Sequence, residues 1–235
     1  MTPESLEGFN DRALTLRVLA QERWRDVERR LRVKGFTLGW PPATGRQETF
    51  GELLEARAEG LRSCLYGDLA ANCIGVEAVL ANGQPVASKI VPRSAAGPDW
   101  KYLLLGGQSL TGRISSATLR VYPVPATVVV RTYTLPPADA VRALADILHR
   151  GAIPAVAALV PEAGQLRLLL TFEGEARLCQ ARADIAHRFC RAAGATPLDD
   201  GVTSRWVAAA ARLTDDTSKP TISALSLIHI SEPTR

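Results

Sequence analysis

The sequence predicts an α+β protein of two unequal units. Three observations carry this. Short strand and helix signals alternate irregularly through the first half. Asn82-Gly83 between two apolar runs marks an antiparallel hairpin. From Val128 onward the order becomes β-α-β-β-α, a split βαβ pattern of ferredoxin-like type lacking its last strand. Pro123-Val124-Pro125 separates the two stretches, so the boundary is placed near Pro125.

In order, Leu14 to Ala20 reads as a strand, and a helix follows with Trp24, Val27 and Leu31 on one apolar face, ended by Gly35. Asp26–Arg30 and Glu28–Arg32 are spaced as (i, i+4) pairs of a solvated helix surface. Phe36–Leu38 leads into a turn-forming stretch, Pro41 to Gly45. Phe50–Ala58 forms a short helix broken at Gly60. Cys73–Leu80 and Pro85–Val91 are the hairpin arms, and Asp99 caps a short helix through Leu104. Thr118–Tyr122 alternates as a half-buried strand.

In the second stretch Val128–Leu135 is a strand. Pro136-Pro137 opens a helix with the stripe Val141, Leu144, Ala145, Leu148, stopped by Gly151. Ile153–Val160 and Gln165–Phe172 are two strands. Glu175–Ala193 is an amphipathic helix ended by Gly194. Cys179, Ala183, Ala186 and Cys190 share one of its faces and read as small buried hydrophobes. Eleven residues of helix hold those two thiols ~16 Å apart, beyond disulfide reach.

Composition excludes several classes. Of 235 residues, 46% are hydrophobic and 22% charged, a globular balance. No run approaches the ~18 apolar residues of a membrane span. The polar, acidic start is no signal peptide, and a cytoplasmic home is expected. A net charge of +4 is too even to imply nucleic acid, and the basic run Arg23–Lys34 is interleaved with acids. The four cysteines and three histidines have no metal-ligand spacing, so no metal is expected.

Gly107 to Arg113 imitates a P-loop, but Arg113-Ile114 stands where Lys-Ser/Thr is required, and a strand rather than a helix follows. A glycine-rich turn entering a strand still lets backbone amides approach a flat or anionic ligand, or serves as a plain loop needing positive φ.

Six segments then resemble the signature of the vanillyl-alcohol-oxidase (PCMH-type) flavoprotein family. They are Thr49-Phe50-Gly51, Arg57-Ala58-Glu59-Gly60, Tyr66-Gly67, Gly75 to Gly83, Arg93 to Asp99, and Gly106 to Leu119. The branches they resemble most are the alkyldihydroxyacetonephosphate synthases and the D-lactate or glycolate oxidases, and the similarity runs from Leu14 to Arg212. The resemblance implies a truncated PCMH-type FAD-binding domain over 1–125 and an incomplete ferredoxin-like cap, the FAD-linked oxidase C-terminal domain, over 126–213. Residues 214–235 end in a string resembling a translated sequencing adapter and are set aside.

By the resemblance, the cofactor is FAD, lined by Pro42, by Thr49, Phe50 and Gly51, by Ala56, Arg57, Ala58, Glu59 and Gly60, and by Gln108, Ser109, Gly112, Arg113, Ile114 and Ser115. The flavin would supply the redox chemistry while the protein orients it. This sequence departs from the family pattern at Glu52, where a second glycine is usual, at Gly106-Gly107-Gln108-Ser109, where Gly-Ser-Glu-Gly is usual, and at Arg113, where the family has an apolar residue. A carboxylate at Glu52 is unfavourable beside an anionic cofactor unless it points to solvent. The pyrophosphate loop and the catalytic residues of the family are expected outside this chain, so no catalytic residue is assigned and the piece alone is expected to be inactive.

The implied function is an FAD-dependent oxidase or dehydrogenase moving a hydride between a small 2-hydroxy acid and flavin, or an ether-lipid synthase-like flavoenzyme. The alternative is a non-catalytic relative acting as a subunit or interaction module. The partner is a small-molecule substrate, with a homodimer allowed for the full-length protein. The testable core of this reading is that Thr49–Gly60 and Gly106–Ser115 converge as two walls of small residues.

Overall fold

A computed structural model describes residues 6–42, 48–58, 60, 62–92, 99–162 and 165–198. The chain divides into two compact units, the first comprising 1–60 and 66–124, the second 61–65 and 125–235.

The first unit runs β1 (Phe9–Asn10), β2 (Thr15–Leu19), α1 (Trp24–Val33), β3 (Phe36–Thr37), α2 (Phe50–Glu55), α3 (Ser63–Tyr66), α4 (Leu69–Asn72), β4 (Cys73–Leu80), β5 (Pro85–Ala87), α5 (Lys101–Leu104), β6 (Gly112–Arg120) and β7 (Tyr122–Pro123). The helix α3 begins in the segment that clusters with the second unit. Five strands form an antiparallel sheet in the order β1-β2-β6-β4-β5, and β3 pairs with β7 separately. Alternation along β2 turns Leu16 and Val18 into the core, where they meet Val76 and Ala78 of β4 and Ile114 and Leu119 of β6. Trp24, Val27 and Leu31 of α1 and Phe50, Leu53 and Leu54 of α2 close that core. Burying each such Leu or Phe contributes about 1.5–3 kcal/mol.

Several expectations are corrected here. Glu28 is not on a solvated face. It is buried, accepting from the Thr37 hydroxyl at 2.6 Å, the Leu38 amide at 2.9 Å and Arg32 at 2.7 Å. It thereby pins the chain leaving the helix, and periodicity alone cannot show that tie. The Asp26–Arg30 side-chain pair does not form. Arg30 reaches Glu22 at 2.6 Å, and Asp26 takes Arg29 at 3.2 Å. The strand read as Thr118–Tyr122 starts earlier, at Gly112, and ends at Arg120, because β4 and β2 supply hydrogen bonds along its whole length. A strand at this point, with no helix, disposes of the P-loop geometry.

The second unit runs β8 (Thr127–Leu135), α6 (Pro137–His149), β9 (Val156–Glu162), β10 (Gln165–Gly174), α7 (Ala176–Ala192) and β11 (Thr196–Pro197), with an antiparallel sheet in the order β11-β8-β10-β9. A last strand is therefore begun, by two residues paired to Thr134 and Tyr133. The α6 stripe is shifted by one position. Ala140, Ala143, Leu144 and Ile147 are buried, whereas Val141 and Leu148 are more than a third exposed. Small alanines allow α6 and α7 to approach closely, so they take the inner face. On α7 the buried residues are Cys179, Ala183, Ala186 and Cys190, the face read from spacing. Burial raises the Cys190 thiol to about 12, and that of Cys73 in the first unit to about 11. Among the described residues no helix is long and apolar enough to cross a membrane.

Candidate cofactor site

The site is assembled around α2, a helix of six residues that could not persist alone. A capping box starts it. The Glu52 amide donates to Thr49 Oγ1 at 3.3 Å, and the Glu52 carboxylate accepts from the Thr49 amide at 2.8 Å. Those bonds from Thr49 hold the Glu52 carboxyl below its ordinary value, and the residue is exposed. Its charge is therefore occupied at the helix start and turned to solvent. Gly51 has a packing reason. Its amide donates to Ala20 O at 2.8 Å, and a Cβ there would lie 3.2 Å from the Ala20 Cβ. Ala20 in turn donates its amide to Ser115 O at 2.9 Å, so the start of α2 and strand β6 are joined through one residue.

The other end of α2 stops sooner than Gly60. The Arg57 amide donates to Leu54 O and the Ala58 amide to Leu53 O, with Arg57 at φ +49°. This is the Schellman ending that normally uses glycine, built here with arginine. The facing loop is also unusual. The Leu110 amide donates to Gly107 O at 2.9 Å, and the two residues between, Gln108 and Ser109, have φ +47° and +62°. These are the φ signs of a type I′ turn, a place for Asn and Gly. Three non-glycine residues in the left-handed region each cost about 1–3 kcal/mol, and such strain clusters at ligand-binding sites.

The two strained segments are tied together. The Gly106 amide donates to Leu54 O at 3.0 Å and the Gln108 amide to Glu55 O at 3.2 Å. The Glu55 carboxylate accepts from the Ser109 hydroxyl on one oxygen and from the Ile114 amide, at 3.2 Å, on the other. A Cβ at Gly106, itself at φ +79°, would sit 3.4 Å from the Arg57 Cβ. Thr49–Gly60 and Gly106–Ser115 thus converge on one side of the first unit.

Glu59 lies outside the described residues; the other fourteen predicted residues separate into three groups by burial. Pro42, Phe50, Gly60, Gly112 and Ile114 are buried and build the walls. Pro42 and Gly60 pair with each other, and a Cβ on Gly112 would strike Val79 O at 2.6 Å. Ala56, Arg57, Gln108, Arg113 and Ser115 are exposed, and Thr49, Gly51, Ala58 and Ser109 are half-buried. Among the described residues the Ser109 amide makes no hydrogen bond. The Arg57 guanidinium pairs, among the described residues, with Asp68 at 3.5 Å. The accessible part of the site is therefore small side chains, a free amide and two arginines. That set fits a flat, anionic cofactor, which needs close backbone approach and positive charge. Ala20 and Glu55 were missed from the sequence. Glu55 carried one signal, a carboxylate directly after the apolar pair Leu53-Leu54 at the end of the helix. Cavities of about 400 Å³ (Leu16, Arg17, Glu22) and about 490 Å³ (Leu80, Trp100, Leu103) include none of the predicted residues. No cluster able to hold a metal exists among the described residues.

Comparison with known proteins supplies the family likeness. Residues 4–88 match the FAD binding domain family. The chain is 36% identical over 96 residues to an uncharacterised FAD-linked oxidoreductase of Escherichia coli (strain K12), covering 41% of this chain and 20% of that protein. It is 31% identical over 112 residues to the alkyldihydroxyacetonephosphate synthase of Caenorhabditis elegans, covering 48% and 19%. It is 32% identical over 89 residues to the D-lactate dehydrogenase of Archaeoglobus fulgidus, covering 37% and 20%. These matches span about a fifth of each relative's length. A solved structure of alkyldihydroxyacetonephosphate synthase superposes with a TM-score of 0.72 at 20% identity, over 82% of this chain and 41% of that one, which shows a shared fold. Over residues 4–88 the chain is thus similar to the FAD binding domain family and to FAD-linked oxidoreductases, and the cofactor these matches support is FAD.

Proposed function

We propose that this chain is part of an FAD-dependent oxidoreductase that moves a hydride between a small 2-hydroxy acid and the flavin. The observation carrying this is the pair of hydrogen-bonded bridges that draws the two strained segments together beside Arg57 and the Ser109 amide. When bound, FAD would supply the redox chemistry as the hydride acceptor, with the proton acceptor expected outside this chain. The residues of this chain bind and orient. Ala56 and Ser109 admit the cofactor at backbone distance, and Arg57 and Arg113 neutralise part of its charge. No group here is assigned as acid or base.

The second unit is read as the ferredoxin-like cap domain over 126–213. Its support is the element order β-α-β-β-α-β with strands ordered β11-β8-β10-β9. A second reading of the activity, a synthase-type use of flavin in ether-lipid chemistry, is favoured by the likeness to alkyldihydroxyacetonephosphate synthases in sequence and fold.

Titration of the chain into FAD, followed by flavin fluorescence, tests the reading. Saturable quenching that weakens in Arg57→Ala is expected, and no binding up to millimolar FAD would sink it. With binding established, anaerobic D-lactate or glycolate should bleach the visible flavin band of the whole protein of which this chain is part. Intact binding without bleaching would turn the choice to the synthase-type reading.

A further inference from the structure

We infer that Glu55 is a positioning residue that holds the turn Gly107–Leu110 in its strained shape and thereby sets the affinity of the flavin site. The inference rests on the FAD reading above and goes beyond it, since Glu55 is not one of the predicted cofactor-lining residues but holds three of them, Gln108, Ser109 and Ile114.

The argument starts from the turn. Gln108 and Ser109 stand next to each other in the left-handed region, where neither side chain is favoured. Left alone, such a turn relaxes to another loop shape, and the Ser109 amide and Gln108 backbone change direction. Two bonds accepted by Glu55 oppose this within the turn, and a third fastens the strand that follows it. Its carbonyl takes the Gln108 amide at 3.2 Å. One carboxylate oxygen takes the Ser109 hydroxyl, and the other takes the Ile114 amide at 3.2 Å, where strand β6 begins its run. A half-buried carboxylate with one oxygen on the turn and the other on the strand that follows is a strong, directional clamp. The clamp also crosses from one wall to the other, because Glu55 is the last residue of α2 and is followed directly by Ala56 and Arg57. Turn shape and wall spacing thus both depend on this side chain, beside the backbone bonds from Gly106 and Gln108. A Gln108-Ser109 pair is tolerated here because Glu55 stands opposite it.

The test compares Glu55→Ala, Ser109→Gly and the double variant in the whole chain. Glycine adopts the left-handed region without a clamp, so it should make Glu55 dispensable. Two readouts are needed. In the cofactor-free protein, hydrogen exchange across 106–114 should quicken in Glu55→Ala, with protection of α1 and β2 unchanged. In FAD titrations Glu55→Ala should lose about tenfold in affinity or more, and adding Ser109→Gly should recover most of it. A side chain that merely stabilised the fold would not be rescued by glycine at 109. Unchanged exchange in Glu55→Ala overturns the inference, as does faster exchange with unchanged FAD affinity, or an affinity loss that Ser109→Gly leaves in place. Absence of FAD binding by the unaltered chain would instead strike the functional reading, while the exchange comparison still judges the clamp.

Discussion

The two units are built on opposite principles. In the second, regular elements do nearly all the holding. β8 and β10 pair through nine consecutive residues without a register shift, and the helices press alanines and cysteines against that sheet. In the first, irregular segments are fastened one by one by polar side chains. Glu28 holds the exit of α1, Asn72 gathers the carbonyls of Tyr66 and Asp68 and accepts from Tyr122 at 2.6 Å, and Glu55 holds the strained turn. The difference follows from what each must do. A sheet with two helices needs only shape complementarity, whereas backbone presented to a ligand cannot also be spent on regular pairing.

The largest expected effect tests the polar fastening. Glu28→Ala leaves the buried Leu38 amide and Thr37 hydroxyl without their acceptor. A buried donor stranded in this way costs about 1–3 kcal/mol, so a loss of about 3 kcal/mol is expected for the pair. Urea unfolding followed by the fluorescence of Trp24 and Trp40, both in that core, measures it. A loss below about 1 kcal/mol would break the contrast between the units, since it falls within the range of an ordinary hydrogen bond.

A smaller effect is expected where shape alone matters. Ala186 is fully buried on the inner face of α7. Ala186→Leu adds three carbons to a packed interior and should cost about 2 kcal/mol by overpacking. Hydrogen exchange should rise in α7 and β8 and stay unchanged in β2 and β6. A neutral result would mean that the second unit is more loosely packed than its small-residue face implies.

The same contrast decides what could be read from the chain. Periodicity exposed β2, α1 and the Cys179–Cys190 face because each repeats one physical rule over several turns. It placed the stripe of α6 one position off, because apolar residues occupy both candidate faces and only packing chooses between them. It also treated Glu28 as a solvent-facing charge, since spacing carries no sign of a long-range acceptor role. Within the site, convergence of the two walls was legible through the resemblance. The means of convergence was not. Glu55 acts on residues 53 to 59 positions away, and the left-handed Arg57, Gln108 and Ser109 break the glycine rule by which such turns are recognised.

The smallest effect sharpens the comparison at the level of single helices. α7 has seventeen residues and α2 only six, so α2 depends far more on its cap. Glu52 is the titrating half of that cap, and its folded value is lowered by the bonds from Thr49. A lowered folded value means that the charge stabilises the fold above the ordinary 4.5, and that this contribution disappears as pH falls through the folded value. The carboxylate faces solvent, so screening limits the gain to a few tenths of a kcal/mol. Glu52→Gln should therefore lower Tm slightly at neutral pH, and the two melting curves should merge under acid. The merging is the diagnostic part. A difference that persists unchanged at low pH would assign the cost to lost cap geometry rather than to charge.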